Sequence, residues 1–308
     1  MNAPRSIDDY LKQLRGALAG EDPALIQDAL YDAEEYLRAE LAAHPGKSEA
    51  DVLELISSTY GAPDEVAAAY RDTERKVNAA LKTPTPKVSA GTSTLARIFG
   101  IYLDPRAYSS LFYMLLTIAT GIAYFTFVVV GLSLSLGLAI LIIGVPFFLA
   151  FIAMARVIAL GEGRLLEAIT GERMPRRPLH PGAPATWGSR ILDMLKDLRT
   201  WTTLAYLLLM LPLGIVYFTV AVTVLALSAA FISVPLALLG DYFGWIRVDV
   251  WDHVRVQGSG WGVDHPFVAG LLMFLAGVVL LTLFMHAARA LMRGHALLAK
   301  SLLVKPGA

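Results

Sequence analysis

The stretch 107–155 reads AYSSLFYMLLTIATGIAYFTFVVVGLSLSLGLAILIIGVPFFLAFIAMA and contains no charged residue. Roughly 20 apolar residues are enough for a helix to cross the hydrocarbon core of a bilayer, and this stretch is more than twice that length. It therefore predicts two membrane spans joined by a turn. We place the turn at 131–135, where Gly and Ser interrupt the large aliphatic residues.

Two more apolar stretches follow, and the composition agrees with them. Residues 200–240 carry no charge, and within 267–288 the ionisable side chain is His286. The chain is 56% hydrophobic and only 17% charged, with a mean hydropathy of +0.57, whereas soluble domains are about one quarter charged. We predict an all-α integral membrane protein whose four spans lie near 109–131, 135–155, 203–230 and 267–288.

The 26 basic and 26 acidic side chains balance overall but not locally. Residues 1–87 contain 16 acidic and 10 basic side chains, a net charge of −6, whereas Lys and Arg accumulate at 156–199 and beyond residue 288. Because short loops rich in Lys and Arg stay in the cytoplasm, we expect both termini there and the segment 240–266 outside. The polar, acidic start predicts no cleavable signal peptide, and the charge balance excludes a general nucleic-acid binder.

The membrane part contains an internal repeat. LFYMLLTIATGIAYFT at 111–126 matches LAYLLLMLPLGIVYFT at 204–219 at nine of sixteen positions, with an offset of 93. A second match, at an offset of 133, relates 155–165 to 288–298, so the repeats cover about 107–175 and 200–302. The glycines and hydroxyls predict close helix packing, and a pseudo-symmetric site for a lipid or small apolar effector is the alternative. The candidates are Tyr113, Gly121, Tyr124, Thr126, Tyr206, Gly214, Tyr217 and Thr219.

Residues 1–82 predict a soluble head of four short helices. Ser6 with Asp9 and Ser48 with Asp51 have the spacing of helix N-caps, and Asp22-Pro23 is a further helix start. The second helix has an acidic face, which is either solvated or a docking surface for a basic partner. Its candidate docking residues are Asp32, Glu34, Glu35 and Glu40.

Residues 83–106 connect the head to the first span. The sequence TPTPKVSAGTST at 83–94 predicts an extended linker. Residues 96–102 predict a short interfacial segment in which Ile98, Phe99 and Tyr102 face lipid.

Both parts resemble known families. YLKQLRGALAG, DAEEYLRAEL and YGAPDEVAAAY in the head resemble the HAAS signalling domain of bacterial membrane proteins. LPLGIVYFTVAVT, LSLSLGLAILIIGVPFF and RLLEAITGERMP resemble the four-span sensor domain that is often fused to histidine kinases. The two resemblances cover the chain from about residue 6 to about residue 302.

The resemblance implies a sensor or regulator in the bacterial cytoplasmic membrane. Proteins similar to those with HAAS domains are often encoded beside PadR-type repressors. The partner that the resemblance implies is therefore such a repressor or a separate kinase. The sequence ends at Ala308 without a phosphoacceptor or ATP-binding domain. We therefore expect the signal to pass to another protein through the head or through residues 157–200.

The segment 240–266 differs most between the repeats. Alternating Val and polar residues at 246–256, followed by Gly-Ser-Gly, predict a small β-hairpin. Carboxylates and imidazoles there could hold a divalent cation, but without a recognised spacing a solvated loop is the favoured interpretation. The weak metal candidates are Asp249, Asp252, His253, Asp264 and His265.

No catalytic motif was found, and without cysteine there is no disulfide, thiolate metal site or cysteine nucleophile. We expect no enzymatic activity and no cofactor. Glu162, Glu167 and His295 lie where the repeats leave the membrane, and they could gather with basic side chains around a phospholipid head group, although a structural role at the interface is the favoured interpretation. The basic head-group candidates are Arg156, Arg164, Arg289 and Arg293.

The sequence therefore favours a non-enzymatic sensor that responds to an envelope or in-membrane stimulus. A lipid-binding or lipid-handling membrane protein, or a transporter, is the alternative. Membrane lipids are expected partners in either case, and the spacing of Gly270 and Gly277 permits a homodimer.

Overall fold

A computed structural model describes residues 4–81, 98–141, 143–175, 196–245 and 266–304. These residues form helices and turns, and none of them is in a β-strand. The predicted β-hairpin at 246–256 lies outside the described residues.

The head contains four helices: α1 (Ile7–Ala17), α2 (Pro23–Ala43), α3 (Glu49–Ser57) and α4 (Pro63–Leu81). The side chain of Ser6 accepts a hydrogen bond from the backbone N–H of Asp9, and Ser48 forms a reciprocal capping box with Asp51. Asp22 accepts from the N–H of Ala24, with Pro23 as the first helical residue. The capping side chains thus satisfy backbone donors that the first turn leaves without a helical partner.

One apolar cluster holds the four head helices together. Leu14 and Leu18 are completely buried, and Leu37 and Val66 are nearly so. The Tyr10 hydroxyl donates to the backbone oxygen of Gly61 at 2.9 Å, which ties α1 to the turn before α4. Burial of an aliphatic side chain of this size contributes about 1.5–3 kcal/mol.

Four long helices follow: α5 (Pro105–Gly137), α6 (Gly144–Thr170), α7 (Leu198–Tyr242) and α8 (Pro266–Leu303). Each is long and apolar enough to cross a membrane. The all-helical class and the four spans agree with the sequence prediction. The chain is thus a multi-pass membrane protein.

The predicted turn at 131–135 was wrong, because α5 continues through it to Gly137. The Ser135 hydroxyl donates to the backbone oxygen of Gly131 at 2.6 Å, so the serine is satisfied without leaving the helix. In hydrocarbon a helix satisfies its backbone groups internally, and Gly and Ser are tolerated there. The connection instead begins with a short 3₁₀ helix, Leu138–Ile140, and α6 begins at Gly144.

The segment before α5 also differs from the prediction. It forms a 3₁₀ helix, Gly100–Leu103. Ile98 and Phe99 are exposed as expected, but the Tyr102 hydroxyl lies 2.8 Å from Thr282 Oγ1 of α8. Tyr102 therefore packs on protein and not only on lipid, because its hydroxyl finds a partner on α8.

The described residues divide into two compact units. The first unit lies within Met1–Lys87, Ile122–Met210 and Arg293–Ala308. The second unit lies within Val88–Gly121 and Leu211–Met292. The head and the neighbouring ends of α6, α7 and α8 thus belong to the first unit.

Candidate functional site

Arg173 joins the end of α6 to the head. The helix ends at Gly171, whose φ of 78° is left-handed and whose N–H donates to the backbone oxygen of Glu167. Such a glycine ends a helix because it has no Cβ to clash in this conformation. The chain therefore turns, and Arg173 Nη2 donates to Asp28 Oδ2 on α2 at 2.8 Å.

Two further carboxylates approach the same guanidinium group. Glu74 of α4 lies 3.5 Å from Arg173 Nε, and Glu167 of α6 lies 3.7 Å from Nη1. The Arg173 side chain is only 10% exposed, and that of Asp28 is 6% exposed. One buried cation thus neutralises part of the charge of three carboxylates. Removing one member of a buried ion pair typically costs about 3–5 kcal/mol, because the remaining charge lies unpaired in a poor solvent.

Two more contacts join the same side of the head to the long helices. At the start of α7, Arg199 Nη1 donates to Gln27 Oε1 at 3.0 Å. Near the end of α8, Lys300 Nζ donates to Asp22 Oδ2 at 2.6 Å. We refer to the four head residues that these basic side chains contact as the head contact face: Asp22, Gln27, Asp28 and Glu74.

The head contact face is not the acidic face that the sequence indicated. Asp32 accepts a hydrogen bond from the Tyr70 hydroxyl at 2.9 Å, and burial together with this bond raises the pKa of Tyr70 well above its usual range. Glu34 forms an ion pair with Arg38 of the same helix at 2.8 Å.

The other two docking candidates lie further along α2. Glu35 is exposed, and Glu40 Oε2 lies 3.8 Å from His44 Nδ1. Asp32, Glu34 and Glu40 therefore have partners inside the head. In the sequence, Gln27 and Asp28 are polar residues within the otherwise apolar start of α2. This interruption is the one direct indication of the head contact face that the sequence contains.

The repeat residues lie mostly in the interior. Tyr113, Gly121, Tyr206, Gly214 and Tyr217 are buried, and Tyr124 is half-buried. A Cβ on Gly214 would lie 2.5 Å from the backbone oxygen of Thr117, so α7 approaches α5 at this glycine. Thr126 and Thr219 are exposed.

Two ionisable side chains occupy equivalent positions in the repeats. Glu162 and His295 correspond at the offset of 133, and they are 1% and 2% exposed. The Tyr124 hydroxyl donates to Glu162 at 2.8 Å, and the Tyr206 hydroxyl lies 3.2 Å from His295 Nε2. Both side chains are thus buried against a tyrosine hydroxyl and are not exposed at a surface.

Arg156 and Arg289, two of the predicted head-group arginines, pair with aspartates among the described residues. Arg156 Nη2 lies 3.3 Å from Asp197 and 3.1 Å from the Thr200 hydroxyl, and Arg289 pairs with Asp104. Arg156 and Arg289 occupy equivalent positions in the two repeats, at the offset of 133. Asp104 and Asp197 are also equivalent, at the offset of 93. Each arginine therefore pairs with the aspartate that precedes the other repeat.

The other candidates are placed as follows. Arg164 and Arg293 are exposed on α6 and α8. The five metal candidates lie outside the described residues, and within the described part no group of three His, Asp or Glu side chains could hold a metal ion. Gly270 and Gly277 face α7 of the same chain, where added Cβ atoms would lie 2.6 Å from Leu238 and 2.8 Å from Phe231.

Comparison with known proteins identifies the membrane part. The family described as "Putative sensor" matches residues 113–303, which is more than half of the chain. No curated protein and no solved structure matches the chain. The matched region begins within α5 and extends to the end of α8, so it covers the spans and the residues that hold the head. The chain belongs to this family of membrane sensor domains.

Proposed function

We propose that the protein is a membrane sensor that passes an envelope or in-membrane stimulus to a separate cytoplasmic protein through its head. The observation that carries this proposal is the buried cluster of Arg173 with Asp28, Glu74 and Glu167. It links the head directly to the end of a membrane helix. A shift of that helix therefore changes the environment of the head without any chemical reaction.

The mechanism is a change between a held and a released head. Arg173, Arg199 and Lys300 hold the head contact face from three different helix ends. A stimulus that changes the packing of α6, α7 and α8 separates these ends and weakens all three contacts together. A stimulus can shift this equilibrium only by the difference between its interaction energies with the two states.

The released head offers an acidic surface. Asp22, Asp28 and Glu74 lose their basic partners in that state, and residues 1–87 carry a net charge of −6. The surface is therefore suited to a basic partner protein. The resemblance of the head to HAAS domains favours a PadR-type repressor or a kinase as this partner.

The proposed location is the bacterial cytoplasmic membrane, with both termini in the cytoplasm. The support is the concentration of Lys and Arg on the side of the spans that carries the head. On this side the contact face would meet cytoplasmic proteins when it is released.

Partner capture from native membranes tests the proposal. The variant Arg173→Gln keeps all carboxylates of the contact face while removing the cation that lies against Asp28 and Glu74. We expect it to capture more of a cytoplasmic regulator than the wild-type chain does. Adding Asp28→Asn should reverse the gain, because the captured protein then meets a less acidic surface.

The matched control is Arg75→Gln, which removes an exposed arginine that pairs with Asp72 in the head. Its capture should equal that of the wild type. Equal capture by wild type, Arg173→Gln and a chain without residues 1–81 would contradict the proposal. Retention of a stoichiometric lipid without any head-dependent protein would favour the lipid-handling alternative.

A further inference from the structure

A narrow cleft in the first unit contains two arginines. Arg156 of α6 and Arg199 of α7 line it together with the small residues Ala159 and Gly163. Met174 and Leu303 supply further apolar walls. The cleft has a volume of about 30 Å³, which is room for about two water molecules.

The charges around this cleft do not balance. Asp197 Oδ2 lies 3.3 Å from Arg156 Nη2, and Asp197 Oδ1 accepts from the backbone N–H of Arg199. The hydrogen-bond acceptor of the Arg199 guanidinium group is the neutral amide of Gln27. Among the described residues, two guanidinium groups thus share one carboxylate at the cleft, which leaves an excess of positive charge.

The other repeat shows why the cleft exists. At the offset of 133, Ala159 corresponds to Met292 and Gly163 to Ala296, both completely buried. The second repeat thus places larger side chains where the first has a hydrogen atom or a methyl group. Close packing normally leaves little empty space inside a protein, so the small residues on α6 create the space beside the arginines.

We propose that this cleft binds the phosphate group of an anionic ligand. Planar guanidinium groups bind phosphate oxygens through paired hydrogen bonds. Basic pockets between membrane helices bind lipid head groups, and the small cleft would take the phosphate group while the glycerol and the acyl chains stay outside it. A lipid of the inner leaflet and free phosphate share this chemistry. Only the choice of leaflet rests on the orientation proposed above.

Native mass spectrometry of the delipidated full-length protein tests the site. The probes are phosphatidylglycerol, phosphatidylcholine and inorganic phosphate. We expect one phosphatidylglycerol to bind more tightly than phosphatidylcholine. Arg156→Gln and Arg199→Gln should each weaken this binding about tenfold, as expected for the loss of one charge-assisted hydrogen bond.

Cleft-filling variants test the site without removing a charge. Gly163→Ala places a Cβ 3.4 Å from Met174, an ordinary contact, and Ala159→Met introduces the residue that the other repeat uses. Both should weaken binding. The matched control is Gly161→Ala, whose Cβ has no neighbour within 4 Å, and it should bind as the wild type does.

The outcomes distinguish a lipid from free phosphate as the ligand. They also distinguish a failure of the phosphate site from a failure of the proposed sensor function. Displacement of the lipid by inorganic phosphate would identify free phosphate as a competing source. Asp22→Asn removes the charge that Lys300 contacts on the head contact face but touches no residue of the cleft, so its lipid binding should be unchanged even where partner capture changes. Equal binding of both lipids, or binding unaffected by Arg199→Gln and Gly163→Ala, would overturn the phosphate site.

Discussion

At the scale of single residues, Arg173 has the greatest consequence for the head. Its side chain is nine-tenths buried, and its guanidinium group lies near carboxylates from α2, α4 and α6. A surface arginine in an ion pair contributes about 0–1 kcal/mol, but a buried one leaves unpaired charges when it is removed. We therefore expect the loss of Arg173 to weaken the contact between the head and the helix ends.

The contact between Asp22 and Lys300 can be used to measure whether the head lies against the helix ends. A carbodiimide joins a carboxylate to an amine in contact, and these two groups are 2.6 Å apart and partly exposed. We expect Arg173→Gln to lower the yield of the Asp22–Lys300 cross-link several-fold, because three repelling carboxylates then face each other. Mass spectrometry of the digested protein measures the yield.

Two further variants make this prediction specific. Lys300→Arg keeps the charge but removes the reactive amine, so its cross-link should be absent. Asp28→Asn leaves Arg173 with Glu74 and Glu167, so its cross-link yield should fall less than that of Arg173→Gln. An unchanged yield in Arg173→Gln would show that the cluster does not hold the head.

At the scale of helices, close approach at small residues determines the packing. Gly214 on α7 lies against the backbone of α5 at Thr117, and Gly277 on α8 lies against α7 at Phe231. Helices in a membrane associate through such contacts, because lipid provides no hydrophobic force between them. The repeated motif could be recognised from sequence, but the backbone that each glycine touches could not, because it belongs to another helix.

Gly214→Ala should destabilise the helix pair. The added Cβ would lie 2.5 Å from the Thr117 oxygen, a backbone atom that cannot rotate away. We expect the free energy of unfolding to fall by about 1–3 kcal/mol, as for other overpacked interiors. The melting temperature of the purified protein in detergent measures this effect.

Gly294→Ala on α8 is the matched control. Its Cβ meets no atom within 4 Å, so the substitution adds helix propensity without a clash. It should leave the melting temperature unchanged or raise it, since Gly costs up to about 1 kcal/mol relative to Ala in a helix. Equal melting temperatures for Gly214→Ala and the wild type would contradict the close approach.

At the scale of the whole molecule, the two repeats are related by reciprocal ion pairs. Arg156 binds the aspartate that precedes the second repeat, and Arg289 binds the one that precedes the first. The repeats differ in two respects that bear on function. The first has the cleft beside Arg199, and the second carries the long insertion at 240–266.

The absence of cysteine makes the proposed orientation testable. Single cysteines replace Lys47, an exposed residue of the head, or Tyr242, the exposed last residue of α7. In intact cells, a membrane-impermeant maleimide should label Tyr242→Cys and should label Lys47→Cys only after permeabilisation. Labelling of Lys47→Cys in intact cells would place the head outside and refute a cytoplasmic output.

The amino-acid sequence by itself determined the helical class, the four spans and the caps of the head helices. These features depend on local composition and on periodic patterns along one segment, so they can be recognised without knowing the fold. The turn at 131–135 was wrong because Gly and Ser also fit inside a membrane helix, where the backbone satisfies its own hydrogen bonds.

Only the tertiary structure decided which charges meet. Asp28 and Arg173 are 145 residues apart, and Asp22 and Lys300 are 278 residues apart. The sequence therefore pointed to the more obvious acidic cluster at 32–40, most of which is paired inside the head. The cleft at Arg156 and Arg199 has the same origin: it needs small residues on one helix and charges on two, and only packing brings them together.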